Sequence, residues 1–285
     1  MKTPLKPPLD SAGKLSSAGA RPAFPVQLNP DKGNPFATKT VAAAARATSA
    51  AGQNDLKRSF QPGASGGLGL DSAVRARMVR RLAEQGVLDA QVLAAMGAVH
   101  RHHFVDTALA NMAYEDTSLP IGLGQTISKP NVVARMLELL QQGLHDASGR
   151  LGRVLEIGTG CGYQAAVLSH LATEVYSMER LRGLHDKARE NLRTLRLANV
   201  HLLFGDGMNG FAKGAPYAGI IAAAAGGEAI PPAWTEQLAV GGRLVAPLQD
   251  ASGAQALVVI DRTPQGIRQT LLEAVHFVPL KSGVG

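Results

Sequence analysis

Hydrophobic residues recur along the chain with two different periods, and the change of period separates helices from strands. The first folded segment repeats them every three or four residues, which predicts amphipathic helices. One helix is predicted to begin at Asp71 or Ser72 and to end at Gly86. A second begins after Asp89, and a third begins at Pro130, a favourable first position for proline.

Farther along the chain, short apolar runs alternate with helical patterns. The predicted strands are residues 154–157, 175–178, 200–204, 220–224, 244–247, 256–260 and 275–280. The predicted helices between them are residues 165–171, 181–195 and 232–238. This alternation predicts an α/β fold in which a mostly parallel sheet is covered by helices on both faces. Ligands of such sheets bind beyond the carboxyl ends of the strands.

Residues 1–70 differ from the rest of the chain in composition. They contain eight prolines, and nine lysines and arginines against three aspartates. This composition predicts a disordered basic tail over 1–70 and a folded domain over 71–285. An organellar transit segment is an alternative for the tail, whereas a secretory signal lacks its continuous apolar region. The folded part carries twenty basic against nineteen acidic residues, so the sequence predicts no specific nucleic-acid partner.

Two further features of the composition limit the class of protein. Cys161 is the only cysteine, which excludes an internal disulfide and favours a reducing compartment, so we predict a cytoplasmic protein. The longest apolar run, at residues 220–225, is too short to span a bilayer, so no membrane partner is predicted. No metal site is predicted either.

A glycine-rich loop follows the first predicted strand and reads Glu-Ile-Gly-Thr-Gly-Cys-Gly over residues 156–162. Its glycine spacing differs from the G-x-G-x-x-G that cradles a pyrophosphate. Glu156 precedes the loop, where a carboxylate would repel phosphate and favour a cationic sulfonium or amino group. Glu179 ends the second strand, where it can accept hydrogen bonds from ribose hydroxyls.

Asp206 lies between two glycines at the end of the third strand, a suitable position for binding an adenine amino group. Each acid alone would more often be a solvated loop residue, but acids at successive strand ends favour one nucleoside-bearing ligand. The pattern predicts S-adenosylmethionine, with a nicotinamide cofactor as the alternative.

Several motifs together carry a resemblance to one enzyme family. They are Arg-His-His-Phe-Val (101–105), Ala-Tyr-Glu-Asp (113–116), Leu-Pro-Ile-Gly (119–122), Gly-Gln-Thr-Ile-Ser-Lys-Pro (124–130), Gly-Tyr-Gln-Ala-Ala (162–166), Gly-Asp-Gly (205–207), Gly-Gly-Arg-Leu-Val (241–245) and Phe-Val-Pro-Leu (277–280). Over about residues 72–281 the chain resembles the protein-L-isoaspartate O-methyltransferase family, within the class I methyltransferases. Residues 1–70 lie outside the resemblance.

The resemblance implies a Rossmann-like three-layer α/β/α fold, with a mostly parallel sheet and a final antiparallel strand. It implies methyl transfer from S-adenosylmethionine to the free carboxyl of L-isoaspartyl residues in damaged proteins and peptides. The resulting ester closes to a succinimide, which can reopen to aspartate. Residues 71–143 would form the substrate segment.

The resemblance also assigns site residues. Ser128 is implied as the active-site residue. The cofactor residues implied are Thr126, Ile127, Glu156, Gly158, Gly160, Glu179, Asp206 and Gly207, and the substrate contacts are Ser128, Ala225 and Val278.

The chemistry of this reaction is compatible with these residues. A substrate carboxylate is already ionised at pH 7, so no strong general base is needed, and we interpret His102 and His103 as structural. Ser128 can donate a hydrogen bond to that carboxylate, although it could instead only cap the helix that Pro130 begins.

The sequence departs from the family pattern at three positions. An acid is replaced by Ala218, a proline by Gly226 and a serine by Cys161, which we interpret as a small packed residue. Two alternatives therefore stay open: a methyltransferase for a small molecule or RNA, and a cofactor-binding scaffold without turnover. We expect the protein to be a monomer.

Overall fold

The computed structural model describes residues 68–227 and 229–285. Its helices are α1 (Leu68–Glu84), α2 (Ala90–Ala98), α3 (Pro130–Gln141), α4 (Tyr163–Leu171), α5 (Arg182–Arg193) and α6 (Pro232–Gln237). Its strands are β1 (Leu119–Gly122), β2 (Gln125–Ile127), β3 (Leu151–Ile157), β4 (Ala172–Glu179), β5 (Val200–Phe204), β6 (Tyr217–Ala222), β7 (Leu238–Gln249), β8 (Gln255–Thr263) and β9 (Gly266–Ala274).

Seven of these strands form one sheet in the order β5-β4-β3-β6-β7-β8-β9. Strands β3 to β7 pair in parallel, and β8 pairs antiparallel with both of its neighbours. The predicted fold, a mostly parallel sheet that turns antiparallel near its end, is confirmed. The reversed strand is β8, so the last strand, β9, again runs in the direction of the first five.

Both faces of the central strands are buried, which explains why these strands read as continuous apolar runs. On one face, Leu155 and Ile220 pack in a cluster with Trp234 of α6. On the other, Val154 and Ile221 belong to the larger cluster that includes the apolar residues of α2, α3 and α4. Neighbouring residues of one strand thus enter different cores, and the three-layer arrangement follows.

The last predicted strand, at residues 275–280, is wrong. The strand instead lies at Gly266–Ala274, and residues 275–280 form an irregular segment with one isolated bridge between Pro279 and Ala225. Strand β9 is the edge of the sheet and nearly all its residues are exposed. An exposed edge strand lacks the apolar run that marks its buried neighbours, so its sequence gives a weaker signal.

The segment before the sheet is helical, with the predicted caps partly corrected. Asp89 caps α2 by accepting hydrogen bonds from the amides of Gln91 and Val92, as predicted. Helix α1 begins at Leu68, so Asp71 lies inside its first turn, where an acid favours the helix dipole, and is not its cap. Of the predicted tail over residues 1–70, residues 1–67 lie outside the described residues and residues 68–70 belong to α1, and the domain boundary stays a prediction.

The turn-rich segment before α3 contains an antiparallel hairpin of β1 and β2. Leu123 at its tip adopts a positive φ of 52° and is exposed. Lys187 of α5 donates a hydrogen bond of 2.9 Å to the carbonyl of Ile121 in β1, and its Nζ lies 3.3 Å from a carboxylate oxygen of Asp106. These contacts hold the hairpin against the helix that follows β4.

Candidate active site

A cavity lies at the carboxyl ends of β3, β4 and β6. The chain moves outward from β3 through β4 to β5 and then returns to place β6 on the other side of β3. Such a reversal of strand order opens a crevice beside the first strand. The hairpin supplies one wall of the cavity and residues 278–281 supply another.

The glycine-rich loop forms the floor of this cavity. Gly158 and Gly160 both line it, with φ angles of 90° and 57°, a region that favours glycine. A Cβ atom at Gly160 would lie 3.2 Å from the Cδ1 of Ile121. The loop therefore presents its backbone to the cavity without side chains. Ile121 of the hairpin packs so close to Gly160 that a side chain there would be crowded.

Glu179 lines the cavity at the end of β4 and is only 5% exposed. Its two carboxylate oxygens accept hydrogen bonds of 2.9 Å from the amides of Gly160 and Leu181. A carboxylate offers about four acceptor positions, so further positions are available to a ligand hydroxyl. Glu179 thus both fixes the loop and faces the place where a ligand would bind.

Glu156 lies elsewhere than predicted. Its side chain is fully buried beneath the loop and does not line the cavity. One of its oxygens accepts a hydrogen bond from the hydroxyl of Ser177, which also contacts the hydroxyl of Thr159 at 2.6 Å. Burial raises the pKa of Glu156 to about 8. Glu156 is paired in register with Ser177 of the neighbouring strand. Through Ser177 and Thr159 it supports the loop, and it does not contact the cavity.

Asp206 is not among the residues that line the cavity, and its predicted contact with adenine stays a prediction. Its carboxylate accepts hydrogen bonds from the amide of Met208, at 2.9 Å, and from the amide of Gly283, at 2.7 Å. The neighbouring Gly207 does line the cavity. A Cβ atom there would lie 2.5 Å from the Cγ2 of Ile157, so only glycine fits.

Ser128 stands where the cavity meets a second, open groove. It lines the cavity together with Thr126 and Ile127, the two neighbouring residues predicted to hold the cofactor. It also lines the groove, whose other residues are Ser118, Lys129, Val132, Ala274, Val275 and His276. A group bound in the cavity and a chain lying in the groove would therefore meet at the Ser128 side chain.

The alternative that Ser128 only caps α3 is not supported by the hydrogen bonds. The cap position is Lys129, and its side chain makes no capping bond. The carboxylate of Asp116 accepts a hydrogen bond of 3.0 Å from the amide of Asn131 in the first turn of the helix. Asp116 caps the helix, which leaves the hydroxyl of Ser128 available for other contacts.

The two other predicted substrate contacts differ in position. Val278 lines the cavity, but Ala225 is buried and does not. The amide of Ala225 donates to the carbonyl of Val278 at 2.8 Å, and its carbonyl accepts from the amide of Leu280 at 2.6 Å. Ala225 therefore positions the segment that carries Val278 through its backbone.

The departures from the family pattern lie mostly away from the cavity. Ala218 is buried in β6 against Gly152, and Gly226 bridges to Leu248; neither lines the cavity. Cys161 does line it and is nearly fully buried, which raises the pKa of its thiol to about 11. A thiol with so high a pKa is a poor nucleophile at neutral pH, in agreement with its interpretation as a packed residue.

Comparison with known proteins decides the family. A model of the family described as protein-L-isoaspartate(D-aspartate) O-methyltransferase matches residues 73–285. The chain belongs to this family. The family and the enzyme class predicted from the motifs are therefore confirmed.

Individual relatives agree with the family match. A protein-L-isoaspartate O-methyltransferase of Methylibium petroleiphilum is 59% identical over 94% of this chain and 99% of its own length. One of Leptothrix cholodnii is 60% identical over 80% of each chain. A solved protein-L-isoaspartate O-methyltransferase structure superposes with a TM-score of 0.66 at 26% identity, covering 74% of this chain and 67% of that one.

The long match adds one observation about residues 1–70, which lie outside the family model as expected. An alignment over 94% of the chain must include most of them. The tail is therefore shared, at least in length, with one relative, although the family model itself begins at residue 73.

The sequence analysis did not identify two cavity residues that directly follow Glu179. Arg180 and Leu181 line the cavity directly after the end of β4, a position that could have been found by extending the strand-end argument.

In residues 68–227 and 229–285, no group of three or more His, Cys, Asp or Glu side chains is arranged to hold a metal ion. No helix in the described part of the chain is long and apolar enough to cross a membrane.

Proposed function

We propose that this chain transfers a methyl group from S-adenosylmethionine to the free carboxyl of L-isoaspartyl residues in proteins and peptides. The observation that carries the proposal is the place of Ser128, at the junction of the glycine-floored cavity and the open groove. A methyl donor in the cavity and an extended acceptor in the groove would approach each other at this residue. Membership of the family supplies the identity of the two reactants.

The residues present fit S-adenosylmethionine. Gly158, Gly160 and Gly207 all line the cavity and have no side chain, so a ligand there can approach the backbone closely. Glu179 offers free acceptor positions at the same surface. The residues that would hold the cofactor are Thr126, Ile127, Gly158, Gly160, Glu179 and Gly207. When bound, S-adenosylmethionine supplies an electrophilic methyl group on a sulfonium sulfur.

The protein's own part in the reaction is orientation. The acceptor carboxylate is ionised at neutral pH and needs no proton removed. The Ser128 hydroxyl would donate one hydrogen bond to it, and Val278 would limit its position from the other wall. Holding two reactants in line can lower the activation free energy by up to roughly 7–11 kcal/mol. The methyl ester leaves the enzyme and closes to a succinimide with loss of methanol.

Transfer of a labelled methyl group to an isoaspartyl peptide tests the proposal. The matched peptide with a normal aspartyl residue is the control. We expect label in the isoaspartyl peptide alone. Label in neither peptide while the cofactor still binds would contradict the proposal, and label in a small molecule or RNA instead would favour the other methyltransferase reading.

Glu179→Gln is expected to weaken cofactor binding by about tenfold. The change removes the charge that strengthens a hydrogen bond to a ligand hydroxyl, a loss of about 1.4 kcal/mol. Calorimetric titration with S-adenosylmethionine measures it. Glu174→Gln is the control, because Glu174 is on the same strand but pairs with Arg153 and does not line the cavity. Equal weakening in both variants would contradict a direct contact at Glu179.

We also propose that the protein is a monomer and cytoplasmic. The cavity and the groove are both lined by residues of one chain, so the site needs no second copy. The single thiol is buried and unpaired, in agreement with a reducing compartment. Light scattering coupled to size exclusion tests the first statement, and a mass of two chains would contradict it.

A further inference from the structure

A fully buried arginine lies directly behind Ser128. Arg101 begins a short 3-10 turn (Arg101–Phe104) and is 0% exposed. Its Nε donates a hydrogen bond of 2.7 Å to the carbonyl of Ala113, and its Nη2 donates one of 2.7 Å to the carbonyl of Ser128 itself. One guanidinium therefore connects the two ends of the segment that contains the hairpin.

The surroundings of this arginine are unusual for a buried charge. No carboxylate within the described residues forms an ion pair with Arg101, and its Nη1 there has no hydrogen-bond partner. Its guanidinium carbon lies 4.8 Å from the ring centre of Tyr163, which lines the cavity after the glycine-rich loop. Burial lowers the pKa of Arg101, yet an arginine keeps its charge in proteins. A buried cation without an ion pair is costly. The two carbonyl bonds, the Tyr163 ring and the attraction of the nearby Asp116 offset that cost.

The Ser128 peptide is held from three sides. Residues 125–127 fix it through the hairpin, and α3 fixes it on the other side through the Asp116 cap. The third contact, from Arg101, falls on the carbonyl of Ser128. Rotation of this peptide would turn the hydroxyl away from the junction of cavity and groove, and the Arg101 bond opposes that rotation.

We propose that Arg101 is a positioning residue for methyl transfer: it fixes the backbone of Ser128 so that the hydroxyl meets the acceptor carboxylate. This inference rests on the proposed function. It assigns Arg101 no contact with either reactant, so its effect must pass through Ser128.

Arg101→Lys tests the proposal, because lysine keeps the charge but lacks the planar fork that reaches both carbonyls. Arg150→Lys is the matched control. Arg150 also donates through one nitrogen to two backbone carbonyls, those of Ser169 and Ala172, and it lines neither the cavity nor the groove. Arg101→Gln is a second variant, which removes the buried charge and is easier to accommodate.

We expect Arg101→Lys and Arg101→Gln to lower kcat for an isoaspartyl peptide by about tenfold or more, since small misplacement of a reacting group slows a positioned reaction strongly. The Kd for S-adenosylmethionine should stay within about twofold. Arg150→Lys should lower the melting temperature but leave kcat unchanged at temperatures where the protein is folded.

The decisive measurement combines Arg101→Lys with Ser128→Ala. If Arg101 acts through Ser128, the double variant loses no more kcat than Ser128→Ala alone, because the group being positioned is already gone. If the loss of kcat in the double variant equals the product of the two single losses, the proposal is overturned. A wild-type kcat in folded Arg101→Lys or Arg101→Gln would also overturn it. Failure of both variants to fold would also overturn it, since Arg101 would then be a folding residue. An inactive wild-type protein would instead contradict the proposed function.

Discussion

Ser128→Ala is expected to lower kcat for an isoaspartyl peptide by about ten- to a hundredfold while leaving cofactor affinity within about twofold. The hydroxyl would donate a hydrogen bond to a charged carboxylate, a contact worth about 1.5–3 kcal/mol. It is available for this contact because Asp116 caps the following helix. The cavity floor and Glu179 are untouched by the change, so the cofactor should bind as before.

Steady-state methylation and calorimetric titration measure the two quantities separately. Ser148→Ala is the control, because the Ser148 hydroxyl donates to a carboxylate, that of Asp146, in an exposed loop, and Ser148 lines neither cavity nor groove. A parallel loss of kcat and affinity in Ser128→Ala would mean that the residue shapes the cavity and does not orient the acceptor. An unchanged kcat would remove Ser128 from the reaction altogether.

The sheet and its ligand edge could be predicted because burial on both faces leaves a local signal. Val154 and Leu155 enter different cores, so the strand that contains them needs apolar residues on both of its faces. Right-handed crossovers then bring the carboxyl ends of β3 and β4 together. The glycines and Glu179 follow directly from these strand ends.

The direction of each side chain at that edge could not be predicted. Glu156 and Glu179 both stand at the carboxyl ends of neighbouring strands, but only Glu179 reaches the cavity. Which side chain enters the site depends on the register with the next strand and on where the loop folds, and neither is encoded in local spacing. Asp206, also at a strand end, does not line the cavity, because the amide of Gly283, distant in sequence, donates to its carboxylate.

Arg101 shows a second limit of sequence reasoning. Its motif, Arg-His-His-Phe-Val, contributes to the family resemblance but does not predict that the arginine is fully buried. Its partners are carbonyls of Ala113 and Ser128, and backbone groups carry no residue-type signal. Ser128 could be identified from its motif, whereas the contact of Arg101 with Ser128 could be identified only from the structure.

Glu156→Gln is expected to be more stable than the wild-type protein at pH 8, by a margin that disappears toward pH 5. The folded protein raises the pKa of Glu156 from its usual value of 4.5 to about 8. Between these values the unfolded chain is ionised at this position while the folded chain still holds the proton. Each pH unit in that window therefore lowers the wild-type free energy of unfolding by about 1.4 kcal/mol, in total by about 3–5 kcal/mol.

Urea denaturation of both proteins at pH 5, 6.5 and 8 checks this divergence. His100, His102 and His170 have pKa values lowered mainly by burial, so the stability of both proteins rises with pH in the range of those groups. This contribution is common to both proteins, and the difference between them isolates Glu156. Glu174→Gln, on the same sheet but at its surface, is the control for loss of a carboxylate.

Parallel stability curves for wild type and Glu156→Gln would mean that Glu156 is ionised in the folded protein. The carboxyl group would then need a cationic or donor partner beneath the loop, where Ser177 donates to one of its oxygens and the Gln164 amide is the neighbouring donor group. Divergence in the expected direction would show that the loop rests on a neutral acid. Of the two predicted acids, only Glu179 would then be in a position to contact a bound ligand.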